Sequence, residues 1–288
     1  MPPPIPPLAT RCLAEAGGTF VLIFLGCGAV HSAVLTDSLS GLWQVSIVWG
    51  VGVMLAVYVF GGVSGAHINP AITIALAAWG RFSRRDVPAY VAAQFIGAFL
   101  AAAVLFFIYR GFIAEKERTK RIVRGGPGSE LTAMCYGEYF PNPGALAAAD
   151  GPYDPRQHAA YNQHVGVVAA ATAEIVGTLL LALVVFALTD ERDQMLPSGL
   201  APVFIGLTVA ALVAMIAPLT QACLNPARDF GPRLFAAVAG WGGVAIPGPQ
   251  GASILIVYLA APIIGGLLGG GFYTRIMRNW HPAQTLAD

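Results

Sequence analysis

Two identical tripeptides, Asn69-Pro70-Ala71 and Asn225-Pro226-Ala227, stand one in each half of the chain. Asn is a favoured helix N-cap, and Pro suits the first helical position because its missing N–H is not needed there. Each tripeptide therefore marks a helix start. The Asn side-chain oxygen caps the backbone, which leaves its NH2 group free to donate outward. A helix N-terminus carries roughly half an elementary charge of positive sign. Two such ends meeting head to head would repel cations, while a neutral hydroxyl could accept a hydrogen bond from either Asn.

Glu15, Glu174 and Arg228 are charges within or beside apolar stretches. In lipid such a charge costs about 2.5–3.5 kcal/mol on insertion scales, so it must be paired or face a cavity. Glu15 and Glu174 occupy equivalent places in AEAGGTF (14–20) and AEIVGTL (173–179). Non-helical backbone in SGAH (64–67) and LTQAC (219–223) exposes N–H groups that need acceptors. The two carboxylates are expected to supply them; proton carriage is the competing role. Arg228, at a helix start, offers several donors to a passing hydroxyl and repels cations. His67 reads as a hydrogen-bonded structural residue, with a titrating gate as the alternative. No HExxH, P-loop or GxSxG motif occurs, so enzymatic activity has no support.

The elements that must position these residues are apolar. The 288 residues are 56% hydrophobic and 11% charged, with a mean hydropathy of +0.67. Soluble domains carry roughly 25% charged residues, so the expected solvent for most of the chain is lipid. The formal net charge of +1 offers no basic excess for nucleic acid. A spanning helix needs roughly 20 mostly apolar residues, and six stretches qualify: 12–35, 43–62, 87–110, 165–188, 199–218 and 251–274. The first is taken as a span and not as a removed leader. INPAITIALAAW (68–79) and NPARDFGPRLFAAVA (225–239) are too short to span and read as re-entrant half-helices. QFIGAFLAA (94–102) and PIIGGLLGG (262–270) extend the internal similarity. Each half then reads as span, span, half-helix, span. Three spans per half make the second half enter from the opposite side, an inverted repeat over about 10–110 and 165–275 within a single 1–288 domain.

Arg11, Arg81, Arg84, Arg85, Arg192, Arg275 and Arg278 all fall on one side, which puts both termini in the cytoplasm. Loop 111–164 then lies outside, as a surface cover or as a vestibule. Gly265, Gly266, Gly269 and Gly270 give two GxxxG spacings, a sign of close helix packing. Cys12, Cys27, Cys135 and Cys223 form no CxxC pair and read as small buried hydrophobes. No metal or cofactor is expected.

SGAHINPAITIA (64–75) and NPARDFGPR (225–233) resemble the two pore loops of the major intrinsic protein family, the aquaporins and glycerol facilitators, and the resemblance covers nearly the whole chain. It implies an all-α membrane fold, six tilted helices with two re-entrant half-helices, assembled as a homotetramer with a pore in each subunit. Asp229 after the arginine, Arg233 four residues on, Pro262-Ile263 in the last span, and IVRG (122–125) with YFPNP (139–143) resemble the glycerol-facilitator branch. By that resemblance the chain is a passive channel for glycerol, related small neutral solutes and water in the plasma membrane.

The same resemblance assigns the selectivity filter to Trp49, Val213, Ala222 and Arg228. It assigns pore-lining carbonyls to Gly65, Ala66, His67, Gln221, Ala222 and Cys223, and gives Glu15, Glu174 and Asp229 supporting places. Bacterial glycerol facilitators usually have a second aromatic at the Ala222 position and glycine at the Val213 position. The set Trp, Val, Ala, Arg is instead similar to that of plant nodulin-26-like channels. Urea, small polyols, ammonia and neutral metalloid acids thereby join glycerol as candidate solutes. Two alternatives stay open: a water-selective channel, disfavoured by Trp49 and the missing filter histidine, and a proton-coupled transporter, disfavoured by a positive midplane.

Overall fold

The computed structural model describes residues 5–39, 41–190, 192 and 197–280. Among these residues six helices are long and apolar enough to cross a membrane: α1 Leu8–Thr36, α2 Leu42–Ser64, α4 Val87–Lys120, α5 Val167–Leu188, α6 Ala201–Thr220 and α8 Ser253–Trp280. Two short helices, α3 Pro70–Ala78 and α7 Pro226–Ala236, lie between α2 and α4 and between α6 and α8. Among the described residues there is no strand. At about 1.5 Å per residue the nine residues of α3 and the eleven of α7 together match the roughly 30 Å of a hydrocarbon core. Two half-helices placed end to end thus make up one more span.

Packing follows one scheme in both halves. α1 packs on α2 and α4, and α5 packs on α6 and α8. Each half-helix packs on the last span of the other half, α3 on α8 and α7 on α4. Glycine permits the closest approaches. A Cβ on Gly97 of α4 would collide with the Ala16 carbonyl of α1, and one on Gly265 of α8 with the Ile175 carbonyl of α5. Gly266 and Gly269 face Ala71 and Leu179 in the same way, so the glycine spacings of α8 are used inside the subunit.

Helix ends run well beyond the expected spans at Leu8 of α1, Lys120 of α4 and Trp280 of α8. α4 continues past residue 110 to Lys120, because AEKERTK (114–120) is composed largely of good helix formers. Glu115 and Arg118 pair along that turn, and Lys120 Nζ donates to the carbonyls of Leu146 and Ala149. The connection beyond it is not structureless. It contains the short helices Glu130–Ala133, Gly144–Ala148 and Pro155–Tyr161, and it buries Leu131, Tyr136, Glu138 and Tyr139. α8 is also uneven, with wide turns at Ile256–Ala260 and Tyr273–Met277. The first wide turn directly precedes Pro262, whose ring denies Tyr258 its usual helical N–H donor. The Cys223 thiol lies 3.6 Å from that Tyr258 carbonyl and 3.3 Å from the Asn225 carbonyl.

Candidate functional site

The two non-helical loops before α3 and α7 have matching backbones. Positive φ occurs at Gly65 (85°), Ala66 (44°) and Ile68 (45°), and at Gln221 (62°), Ala222 (59°) and Leu224 (53°). Left-handed conformations cost energy in residues with a Cβ and persist only where the surroundings enforce them. The enforcing groups are the two buried glutamates. Glu15 accepts from Ser64 Oγ at 2.7 Å, the His67 N–H at 2.8 Å, the Ile68 N–H at 2.7 Å and Gln94 Nε2 at 2.7 Å. Glu174 accepts from Thr220 Oγ1 at 2.6 Å, the Cys223 N–H at 2.9 Å and the Leu224 N–H at 2.8 Å. Tyr90 and Tyr258 donate their hydroxyls to the carbonyls of Ser64 and Thr220, at 3.0 and 3.2 Å.

Asn69 and Asn225 cap α3 and α7. The Asn69 side-chain oxygen accepts from the N–H groups of Ala71 and Ile72, and that of Asn225 from those of Ala227 and Arg228. The sequence reading left both NH2 groups free, and this needs correction. Asn69 Nδ2 donates to the Leu224 carbonyl and Asn225 Nδ2 to the Ile68 carbonyl, each at 2.8 Å. One N–H of each amide therefore ties the two loops together, and a single N–H per Asn is left for a passing group. Pro70, Ala71, Pro226 and Ala227 are buried in the helix starts behind them.

Two cavities flank this junction. The first, about 340 Å3, is lined by Gly65, Ala66, His67, Asn69, Ala222, Cys223 and Asn225, and extends to Val185, Thr189 and Arg81. Its remaining wall is aliphatic, including Leu22, Val53, Ile72, Leu181, Ile205 and Val209. The second, about 350 Å3, is lined by Val45, Asn142, Tyr161 and Gln221 among others. Trp49, Val213 and Arg228 border both cavities, so they form the neck between them. Of the proposed filter set, Ala222 touches only the first cavity. Of the residues named for their carbonyls, Gln221 touches only the second.

The neck is held from behind. The Arg228 guanidinium sits 4.4 Å from the Trp49 ring centroid, close enough for a cation–π contact. The Trp49 ring lies against Gly26 of α1, where any Cβ would collide with it. Arg228 Nη1 is 2.7 Å from Glu138 Oε1. The Glu138 N–H in turn donates to Asp229 Oδ1 at 2.7 Å. Arg233 grips both oxygens of Asp229 and donates to the carbonyls of Glu138 and Ala245. Burial pushes the Glu138 carboxyl above its ordinary range, and the adjacent Arg228 draws it back. Glu138 is the residue that sequence reasoning missed. The available signal was a lone carboxylate in AMCYGEYF (133–140). His67 packs between Phe82 and Tyr90, with ring centroids 4.6 and 5.1 Å away, and its Nδ1 lies 3.3 Å from Thr73 Oγ1. Among the described residues no group of three His, Cys, Asp or Glu side chains could hold a metal.

The family described as Major intrinsic protein matches residues 6–273. The chain belongs to this family. It is similar to the glycerol uptake facilitator protein of Pseudomonas aeruginosa, 39% identical over 280 residues, covering 97% of this chain and 93% of that protein. The glycerol uptake facilitator protein of Escherichia coli K12 is 38% identical over 277 residues, covering 96% and 91%. A propanediol uptake facilitator of Citrobacter freundii is 38% identical over 278 residues, covering 96% of each. In three dimensions the chain resembles the aquaglyceroporin from Plasmodium falciparum with a TM-score of 0.76 at 24% identity, covering 94% of this chain and 97% of that one. The arrangement of six spans and two half-helices is thus shared with other members of the major intrinsic protein family.

Proposed function

We propose that this protein is a passive channel for glycerol and related small uncharged solutes, with water, in the cytoplasmic membrane. The observation that carries this reading is the neck, where Trp49, Val213 and Arg228 border both cavities. A carbon chain lies against Trp49 and Val213 while its hydroxyls meet the Arg228 guanidinium, one N–H each from Asn69 and Asn225, and carbonyls of the two loops. This combination suits a solute that is polar on one edge and apolar on the other. Cations meet Arg228 and two helix N-termini, which repel them.

The relatives named glycerol and propanediol uptake facilitators support small polyols as the solute class. Trp49 is the single aromatic wall of the neck, beside Val213, and Ala222 of the first cavity stands where the family resemblance expects a second ring, so urea and polyols longer than glycerol are within its range. The two halves form an inverted repeat around the Asn69–Asn225 junction. Arg11 with Asp86, and Arg81 and Arg278 with Asp190, gather at one end, which is the cytoplasmic end by its positive charge. The second cavity faces outward beneath the connection that follows α4. Four copies assemble, each with its own pore.

Stopped-flow light scattering on proteoliposomes tests the reading. Glycerol entry should be fast and unchanged by an imposed proton gradient. Glycerol exclusion with fast water flux, or glycerol entry that follows the proton gradient, would contradict it.

A further inference from the structure

The first cavity has an arginine at each end. Arg228 stands at the neck, three residues after Asn225. Arg81 stands beyond the C-terminus of α3, about one half-helix length, roughly 14 Å, from Asn69, and it lines the cavity together with Val185 and Thr189. Local geometry fixes it there. Gly80, with φ 77°, closes α3, and the Arg81 N–H returns to the Leu76 carbonyl at 2.8 Å, the long bond of a left-handed helix stop. The guanidinium then crosses to the other half of the molecule. Nη1 donates to the Phe186 carbonyl at 2.8 Å and lies 3.4 Å from Thr189 Oγ1. Nη2 donates to Asp190 Oδ2 at 2.6 Å, and the group lies 4.8 Å from the Phe186 ring centroid.

The two ends differ in their pairing. At the neck, each arginine has a carboxyl group of its own, Arg228 with Glu138 and Arg233 with Asp229. At the far end, Arg81 and Arg278, whose Nε is 2.9 Å from Asp190 Oδ2, share that one carboxylate. Two guanidiniums on one carboxylate leave a single net positive charge among the described residues of this cluster. Burial pushes the Asp190 carboxyl up, but the Arg192 N–H and the Arg81 guanidinium outweigh it and hold the carboxyl below its ordinary value, so the cluster stays ionised at neutral pH.

Resting on the conduction reading above, we infer that Arg81 is a second specificity-determining residue, a cation barrier in series with Arg228 at the opposite end of the first cavity. Asp190 positions it, and its planar donors beside Thr189 offer a passing hydroxyl a second polar station. Anchoring of α5 through the Phe186 carbonyl is a separate structural contribution that any retained donor could supply.

Barriers in series are read one at a time, so the test weakens the outer one. Labelled guanidinium, a small ion charged at every accessible pH, and glycerol are followed into proteoliposomes holding wild type, Arg228→Ala, and Arg228→Ala combined with Arg81→Leu, Arg81→Gln or Arg81→Lys. Removing one nearby unit charge from a wet pore should raise guanidinium entry roughly tenfold over Arg228→Ala alone. Arg81→Gln keeps a donor without the charge and carries the same expectation where the leucine variant does not reconstitute. Arg81→Lys should stay near the Arg228→Ala level. Guanidinium entry equal in all the Arg228→Ala proteins, with wild type carrying glycerol, would overturn this inference alone. A wild type that carries no glycerol would overturn the conduction reading and the inference with it.

Discussion

The two re-entrant loops share their support but not their chemistry. In both, a buried glutamate from the first helix of its half holds two consecutive N–H groups and a hydroxyl, at Ser64, His67 and Ile68 or at Thr220, Cys223 and Leu224. In both, a tyrosine reaches the same carbonyl, and the capping Asn reaches across to the other loop. The side chains then diverge. The first loop has His67 among aromatic rings and Gln94 bridging Glu15 to Thr73. The second has Cys223 where His67 stands, Pro262 where Gln94 stands, and Arg228 tied to Glu138. The strained backbone and its support occur twice, while the arginine paired with a buried carboxylate follows only the second loop's Asn-Pro-Ala.

The glutamates give the largest expected effects. Each orphaned buried donor costs about 1–3 kcal/mol. Glu15→Ala strands four donors and Glu174→Ala three. Both should lower thermal stability in detergent strongly, Glu15→Ala by more, with little folded protein left to reconstitute. An order reversed, or two variants as stable as wild type, would break the equivalence of the loops. A smaller effect is expected from Glu138→Gln, which keeps the size of the side chain and removes its charge. Arg228 then loses its charged partner, and the flux ratio of a five-carbon polyol to glycerol should shift by roughly threefold to tenfold, about 0.7–1.4 kcal/mol, less than a whole charge-assisted hydrogen bond because Gln keeps a polar contact. A ratio unchanged in the folded variant would mean that Glu138 does not set the neck.

What the sequence made legible follows from the cost of charge in lipid. Glu15, Glu174 and Arg228 stand out because nothing apolar explains them, and the paired Asn-Pro-Ala motifs announce helix starts by capping chemistry alone. Glu138 did not stand out, because it lies in a connection where charges are ordinary, and its partner is far along the chain. Arg81 read only as a basic loop residue that orients the chain. Its contacts to Phe186 and Asp190 depend on tertiary packing between the two halves. Trp49 was reached through resemblance, since one more aromatic in an apolar helix carries no signal. Its physical reason lies on α1, where Gly26 makes room for the ring. The extension of α4 to Lys120 was hidden because a charged stretch after an apolar one looks like a loop, although its residues favour helix.

The central claim is that solute passes through the neck, and Val213→Cys tests it in a single preparation. Wild type, whose Cys223 also lines the first cavity, supplies the baseline. A bulky methanethiosulfonate, which forms a mixed disulfide with the Cys at position 213 and releases sulfinate, should stop glycerol and water flux, and a dithiol that reduces the disulfide should restore both. Full modification of that cysteine with flux unchanged would place the pathway elsewhere and contradict the account.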